Sequence, residues 1–115
     1  MENIHTQRIN TDILRVLSMA LLEKAQNPDL ALVTIMKVET SSDYSFAKIH
    51  VDINGDDNDK KRVLTALLSA APFLRGEIAE NVKMRRIPAL KFVIDKGREN
   101  AERVEEILKT IRKGG

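Results

Sequence analysis

The chain has 115 residues, which suits one domain over 1–115, and its lack of cysteine excludes disulfide bonds, thiolate metal sites and cysteine nucleophiles. Its apolar runs are shorter than the roughly 20 residues that a membrane span needs, and no signal peptide is visible, so we expect a cytoplasmic protein that does not enter a membrane. The net charge of +2 is unevenly distributed along the chain. The segment from Lys83 to Arg98 contains six basic residues and one acidic residue. We expect that region to attract polyanions.

The first half of the chain predicts a helix followed by two strands. Residues 4–25 place apolar side chains three and four apart, which is typical of an amphipathic helix, and Asn27-Pro28 ends it. Residues 31–40 are rich in β-branched side chains and residues 45–53 alternate between apolar and polar. The short polar connection between them favours an antiparallel hairpin that is covered on one face.

The next segment predicts a helix with a break in it. Residues 54–59 form a turn with acidic residues that are typical of a capped helix start, and helical periodicity then continues to Val82. Pro72 interrupts this stretch, because a proline inside a helix removes one hydrogen bond and costs about 3 kcal/mol. We therefore predict two helices joined at a sharp kink formed by Ala70, Ala71 and Pro72.

The last elements are a strand over residues 90–95, a turn at Gly97 and a helix over residues 99–113. The predicted order is α-β-β-α-kink-α-β-α. This order indicates an α+β fold with a three-stranded sheet and helices on one face, and it leaves the strand order open.

No motif for catalysis or for a bound metal is visible. His5 is expected in an unstructured start and His50 on the outer face of a strand, and neither has a second ligand at metal-binding spacing. The segment 52–56 resembles a calcium loop only superficially, because its glycine is at the fourth position and not the sixth, and Val63 stands where the twelfth position requires a glutamate. A glycine-rich phosphate loop and a serine nucleophile elbow are also absent from the sequence. We therefore expect a binding protein without catalysis, metal or cofactor.

The cationic region is the candidate binding site, because guanidinium and ammonium groups bind phosphates. A kinked helix pair followed by a basic turn predicts a groove, and single-stranded or looped RNA suits it better than duplex DNA, since no recognition helix carries clustered basic and amide side chains. The expected phosphate contacts are Arg75, Lys83, Arg85, Arg86 and Lys91, with Arg8 and Arg15 as a secondary patch.

Exposed aromatic side chains leave two interpretations open. Tyr44 and Phe46 could stack a base, although an exposed aromatic on a half-covered sheet more often packs across strands. An alternative function is therefore a protein-interaction or dimerisation module that uses the uncovered sheet face, with Tyr44, Phe46 and Val93 as anchors.

Several motifs, in order along nearly the whole chain, closely resemble the bacterial ribosome-binding factor A family. They include Asn27-Pro28-Asp29-Leu30, Ser42-Asp43-Tyr44-Ser45-Phe46-Ala47-Lys48-Ile49-His50-Val51, Asn54-Gly55-Asp56, Ser69-Ala70-Ala71-Pro72-Phe73-Leu74-Arg75 and Met84-Arg85-Arg86-Ile87-Pro88-Ala89-Leu90-Lys91-Phe92-Val93. The ordered set is specific, although no single motif is decisive.

This resemblance implies a type II KH fold whose helix-kink-helix is the nucleic-acid-binding feature. It also implies a non-catalytic assembly factor that binds the immature 30S subunit and its 16S rRNA, promotes late 30S maturation and 5′-end processing, and supports growth in the cold. We expect it to act as a monomer. The family carries Ala-x-Gly at the kink, so Pro72 stands where glycine is usual.

Overall fold

The structure is a computed structural model, and it describes residues 4–94. Its main elements are α1 (Ile4–Met19), β1 (Val33–Thr40), β2 (Phe46–Ile53), α2 (Asp57–Asn81) and β3 (Ala89–Ile94). The helix predicted over residues 99–113 and the turn at Gly97 lie outside the described residues. Within residues 4–94, no helix combines the length and apolar character that a membrane crossing requires.

The first helix is confirmed, and it starts earlier than one prediction allowed. His5 lies inside α1, so its expected place in an unstructured start is wrong. The reason is that Thr6 is buried, which brings the first turn against the core together with Ile9. The helix continues as a π-helical turn, Ala20–Lys24.

A short 3₁₀ helix, Pro28–Leu32, connects the first helix to the sheet. The side chain of Asn27 accepts a hydrogen bond from the backbone N–H of Asp29 at 2.9 Å, which caps this helix. The 3₁₀ helix includes the first two residues of the segment predicted as a strand over residues 31–40, so β1 begins at Val33.

The three strands form one sheet in the order β1-β2-β3. The predicted antiparallel hairpin is confirmed, with Thr40 opposite Ala47. β3 pairs with β2 in parallel, with Ala89 opposite Phe46. Parallel neighbours need a crossover connection, and α2 provides it. The start of β3 therefore lies at the same end of the sheet as the turn between β1 and β2.

The prediction of two helices divided at Pro72 is wrong, because α2 is one helix with Pro72 inside it. Ala70, Ala71 and Pro72 all lie within this one helix. The fully buried apolar side chains of α2 are Val63, Leu67, Leu74 and Ile78. They lie four, seven and four residues apart, so one buried stripe continues past the proline. Burying each side chain stabilises the fold by about 1.5–3 kcal/mol, which together outweighs the proline cost of about 3 kcal/mol.

The sheet has one covered and one open face, as predicted. The side chains of Ala47, Ile49, Val51 and Ile53 are buried in the same core as α1 and α2. Alternate residues of β2 face outward, and His50 is among them. The α+β class, with a three-stranded sheet and helices on one face, is therefore confirmed.

Candidate functional site

The turn between β1 and β2 is organised around one carboxylate, that of Asp43. Its Oδ1 atom accepts hydrogen bonds from the Ser45 hydroxyl at 2.7 Å, the Ser45 backbone N–H at 3.0 Å and the Ser41 hydroxyl at 2.9 Å. These bonds, the one from the Ser45 hydroxyl above all, lower the pKa of Asp43 from 3.8 to about 2. The carboxylate therefore stays charged and holds the turn in one conformation.

Tyr44 occupies an unusual backbone conformation in this turn. Its φ angle is 59°, in the left-handed region that costs a residue other than glycine about 1–3 kcal/mol. Its backbone N–H donates to the Ser41 carbonyl at 3.0 Å, and the hydrogen bonds of Asp43 hold the residues on either side. The hydrogen bonds of the turn thus hold Tyr44 in a backbone conformation that residues other than glycine rarely adopt.

Tyr44 lines a cleft of about 770 Å³ between the first turns of α1, the β1–β2 turn and the segment that follows α2. The cleft is lined by His5, Ile9, Tyr44, Lys83, Met84 and Arg85. Of the residues that the structure describes, none that line the cleft carries a carboxylate, so Lys83 and Arg85 make it electropositive. Its volume lies in the range of sites that bind small molecules.

The segment just after α2, residues 83–86, is called the basic loop below. Lys83, Arg85 and Arg86 are exposed, and within residues 4–94 their side chains make no hydrogen bond or salt bridge. Arg8 is exposed on α1, three residues after His5 and on the same side of that helix. The structure therefore brings Lys83 and Arg85 into one cleft, with Arg86 beside them in the chain and Arg8 on the neighbouring helix.

Arg75 is tied to the backbone that leads into β3. Its Nε donates to the Pro88 carbonyl at 3.1 Å, and its Nη2 donates to the Ile87 carbonyl at 3.0 Å. These two bonds connect α2 to the start of β3 and close the chain around the basic loop. Two of the donors of Arg75 are thus engaged, and three of its five remain.

The other two expected cations lie elsewhere. Lys91 is on the outer face of the sheet, with its Nζ 4.1 Å from the centre of the Phe46 ring, a cation–π contact. Arg15 donates to Asp12 at 2.9 Å along α1. The seven expected cations therefore do not form a single groove, and the kink residues Ala70, Ala71 and Pro72 lie within α2.

The proposed protein-binding anchors are also divided. Val93 and Phe46 lie on the outer sheet face, and Lys91 covers the Phe46 ring, whereas Tyr44 lies in the cleft. On the same outer face, His50 donates to Glu39 at 2.6 Å, and this hydrogen bond lowers the pKa of Glu39.

Sequence reasoning missed His5, Ile9 and Met84 as parts of this cleft. Ile9 and Met84 look like ordinary core residues, and His5 is far from Met84 in the chain, so no local spacing connects them. Within the described residues, no three side chains of the His, Cys, Asp or Glu type are grouped so that they could hold a metal ion.

Comparison with known proteins places the chain in a family. The family model for ribosome-binding factor A matches residues 5–108. The ribosome-binding factor A of Finegoldia magna is 35% identical over 107 residues, which cover 91% of this chain and 88% of that one. The crystal structure of ribosome-binding factor A from Thermus thermophilus has a TM-score of 0.69 and 27% identity, and the match covers 77% of this chain and 94% of that one.

A further structural match is to the same Thermus thermophilus protein. It is a homology model of the Thermus thermophilus ribosome-binding factor A, fitted into the cryo-EM map of its complex with the 30S subunit. The match has a TM-score of 0.60 and 28% identity, and it covers 73% of this chain and 88% of that one. The chain therefore belongs to the ribosome-binding factor A family and has the KH-like fold of its members.

Proposed function

We propose that this chain is a non-catalytic assembly factor that binds the immature 30S subunit through 16S rRNA. In this proposal the protein promotes late 30S maturation and processing of the 5′ end of 16S rRNA, and it supports growth in the cold. It acts in the cytoplasm as a monomer with a single RNA-binding domain. It is supported by the family to which the chain belongs and by the relative that was fitted into a 30S complex.

The observation that carries this proposal is the state of the basic loop. Lys83, Arg85 and Arg86 are exposed cations without a partner in the described part of the chain. Phosphate oxygens bind such groups through charge-assisted hydrogen bonds, and the release of counterions from RNA adds to affinity. The basic loop is therefore assigned the main phosphate contacts.

The remaining cations receive smaller roles in this proposal. Arg8 has an exposed side chain near the cleft and is assigned a secondary contact. Arg75, Lys91 and Arg15 already bind carbonyls, an aromatic ring and a carboxylate, so binding a phosphate would compete with those contacts. We expect Arg75 to act mainly by positioning the basic loop.

The direct test reverses two charges of the basic loop. The double variant Arg85→Glu, Arg86→Glu should lose co-sedimentation with small ribosomal subunits, because it replaces two phosphate-binding groups with groups that repel phosphate. Its melting temperature should stay close to that of the wild type, since exposed charges without partners contribute little to stability.

A matched control is available at the other end of α2. Lys60 and Lys61 are also adjacent cations, and they lie about 30 Å from the end of α2 along the helix axis. The variant Lys60→Glu, Lys61→Glu changes the net charge by the same amount and should still co-sediment. Equal losses in both variants would indicate an effect of net charge alone, and no loss in either would remove the basic loop from the interface.

The assembly role needs a cellular measurement. A deletion strain at low temperature should grow slowly and accumulate precursor 16S rRNA, and the wild-type chain should correct both defects. The variant Arg85→Glu, Arg86→Glu should not correct them, whereas Lys60→Glu, Lys61→Glu should. Normal precursor levels in the deletion strain would contradict the proposed role in maturation.

A further inference from the structure

We propose that the cleft beside the basic loop binds one unstacked base of single-stranded RNA, with the base on the ring of Tyr44 and the neighbouring phosphates on Lys83 and Arg85. The inference rests on the proposed function and deepens it, because it adds a site for a base to a surface that was assigned only phosphate contacts.

The lining of the cleft combines the two chemistries that a nucleotide requires. Ile9 is buried and Met84 is half-buried, so they provide apolar surface beside the half-buried ring of Tyr44. Lys83 and Arg85 are exposed at the same cleft. Bases stack on aromatic side chains, while phosphates bind cations that lie along the backbone path. A volume of about 770 Å³ is sufficient for a nucleotide.

The charge of the cleft favours a polyanion such as RNA over a second copy of this chain. The lining residues that the structure describes include two cations and no carboxylate, and the two cations have no partner within residues 4–94. A second copy that docked through the same cleft would bring like charges together, which opposes association. A polyanion gains from the same arrangement.

Tyr44 is better placed for stacking than Phe46 or Phe73. The ring of Phe46 is already covered by the Lys91 amine at 4.1 Å. Phe73 lies in a separate cleft whose one cation, Lys24, donates to Glu77 at 3.2 Å. Tyr44 alone combines an aromatic ring with cations that have no partner in this part of the chain.

The backbone gives an independent reason to single out Tyr44. Its φ of 59° is held by the hydrogen bonds around Asp43, and an unfavourable conformation that is maintained in this way is typical of a functional position. Glycine adopts this φ freely. The variant Tyr44→Gly therefore removes the ring while it relieves the backbone, and it should fold.

The test compares two probes with the same phosphates. One is a short single-stranded oligouridylate, and the other has the same length but carries abasic ribose at every position. The wild-type chain should bind oligouridylate roughly 5- to 150-fold more tightly, because stacking of a base on an aromatic ring has this effect. The ratio should fall to about one in Tyr44→Gly and should be retained in Tyr44→Phe.

The protein carries its own reporter for this site. Tyr44 is the only tyrosine, and the chain has no tryptophan, so its emission reports on the cleft alone. Oligouridylate should quench this emission at concentrations that match its binding, and the abasic probe should quench it much less. Equal quenching by the two probes would contradict stacking.

The outcomes separate this inference from the proposed function. If Tyr44→Gly keeps the wild-type affinity ratio while Arg85→Glu, Arg86→Glu no longer binds either probe, the inference of a base site at Tyr44 is wrong and the proposed function stands. If Tyr44→Gly loses co-sedimentation with small subunits although the wild type does not discriminate the two probes, the cleft contacts a subunit protein, which overturns the inference. If the charge reversal leaves co-sedimentation intact, the proposed interface itself fails.

Discussion

The two ends of α2 differ in whether their charged side chains have partners within the protein. At its start, the Asp56 carboxylate accepts a hydrogen bond from the Asp59 backbone N–H at 2.8 Å, and the Asp59 carboxylate accepts one from the Asp56 N–H at 2.9 Å. Arg62 then donates to Asp59 at 2.9 Å and to Asp29 at 3.2 Å. Beyond its end, the cations of the basic loop have no partner in the described chain.

The contacts at the start of α2 stabilise the charged forms of its residues. The hydrogen bond from the Asp56 N–H, followed by that from Arg62, lowers the pKa of Asp59. The hydrogen bonds to Asp59 and Asp29 raise the pKa of Arg62. Gly55 leads into this end with a φ of +136°, and a Cβ atom there would lie 2.5 Å from the Cβ of Asp59. At this end of α2, the side chains of Asp56, Asp59 and Arg62 therefore bind groups of the protein itself.

The difference shows how a nearly neutral chain can present a binding surface. Asp56, Asp59 and Arg62 are bound within the protein at the start of α2, where they cap the helix and join it to the 3₁₀ helix through Asp29. Charges beyond the end of α2 add almost nothing to stability and are available to a ligand. Single substitutions should therefore separate stability from binding.

The largest contrast is expected between Asp56→Ala and Arg86→Ala. Loss of the helix cap should lower the free energy of unfolding by about 1 kcal/mol, with co-sedimentation unchanged. Arg86→Ala should change the free energy of unfolding by less than about 0.5 kcal/mol and should weaken co-sedimentation. Urea unfolding of both variants measures the change in the free energy of unfolding, and co-sedimentation with small subunits measures the change in binding. A larger loss of stability in Arg86→Ala would show that the basic loop supports the fold.

A smaller effect is expected in the salt dependence of RNA affinity. On single-stranded RNA each neutralised phosphate contributes about −0.7 to the slope of log affinity against log salt, so the three cations of the basic loop predict about −2. A slope of about −3.5 would mean that Arg75 and Lys91 also bind phosphates. Lys91→Ala should leave the slope unchanged, and Arg86→Ala should reduce its magnitude by about 0.7. A flat dependence would exclude phosphate contacts.

Local patterns were sufficient for most of the fold. Helical spacing predicted α1, alternation predicted the hairpin and its covered face, and acidic residues predicted the cap of α2. Pro72 was one exception, beside the helical position of His5 and the later start of β1. The rule for proline considers only one hydrogen bond and one clash, whereas the stripe of buried side chains, from Val63 to Ile78, stabilises both halves of one helix. The spacing of that stripe was visible in the sequence.

The candidate site was less predictable, because it depends on contacts between distant segments. The basic loop could be predicted, since its cations are close together in the chain. The carbonyl partners of Arg75 follow from how α2 packs against the segment before β3. The ring beneath Lys91 follows from the pairing of β2 with β3, and composition shows neither contact. The same holds for the cleft, which joins the start of α1 to Tyr44 and Met84.

The smallest effect is expected in acid, at the turn that carries Tyr44. Folding lowers the pKa of Asp43 from 3.8 to about 2, so the carboxylate stabilises the turn fully above pH 3.8, and this contribution is lost as the pH falls towards 2. The NMR shift of the Ser45 amide, which donates to Asp43 at 3.0 Å, should titrate with a midpoint near 2. Asp43→Asn should abolish this transition. A midpoint near 3.8 in the wild type would show that the turn does not hold its hydrogen bonds in solution, and the fixed position of Tyr44 would then have no support.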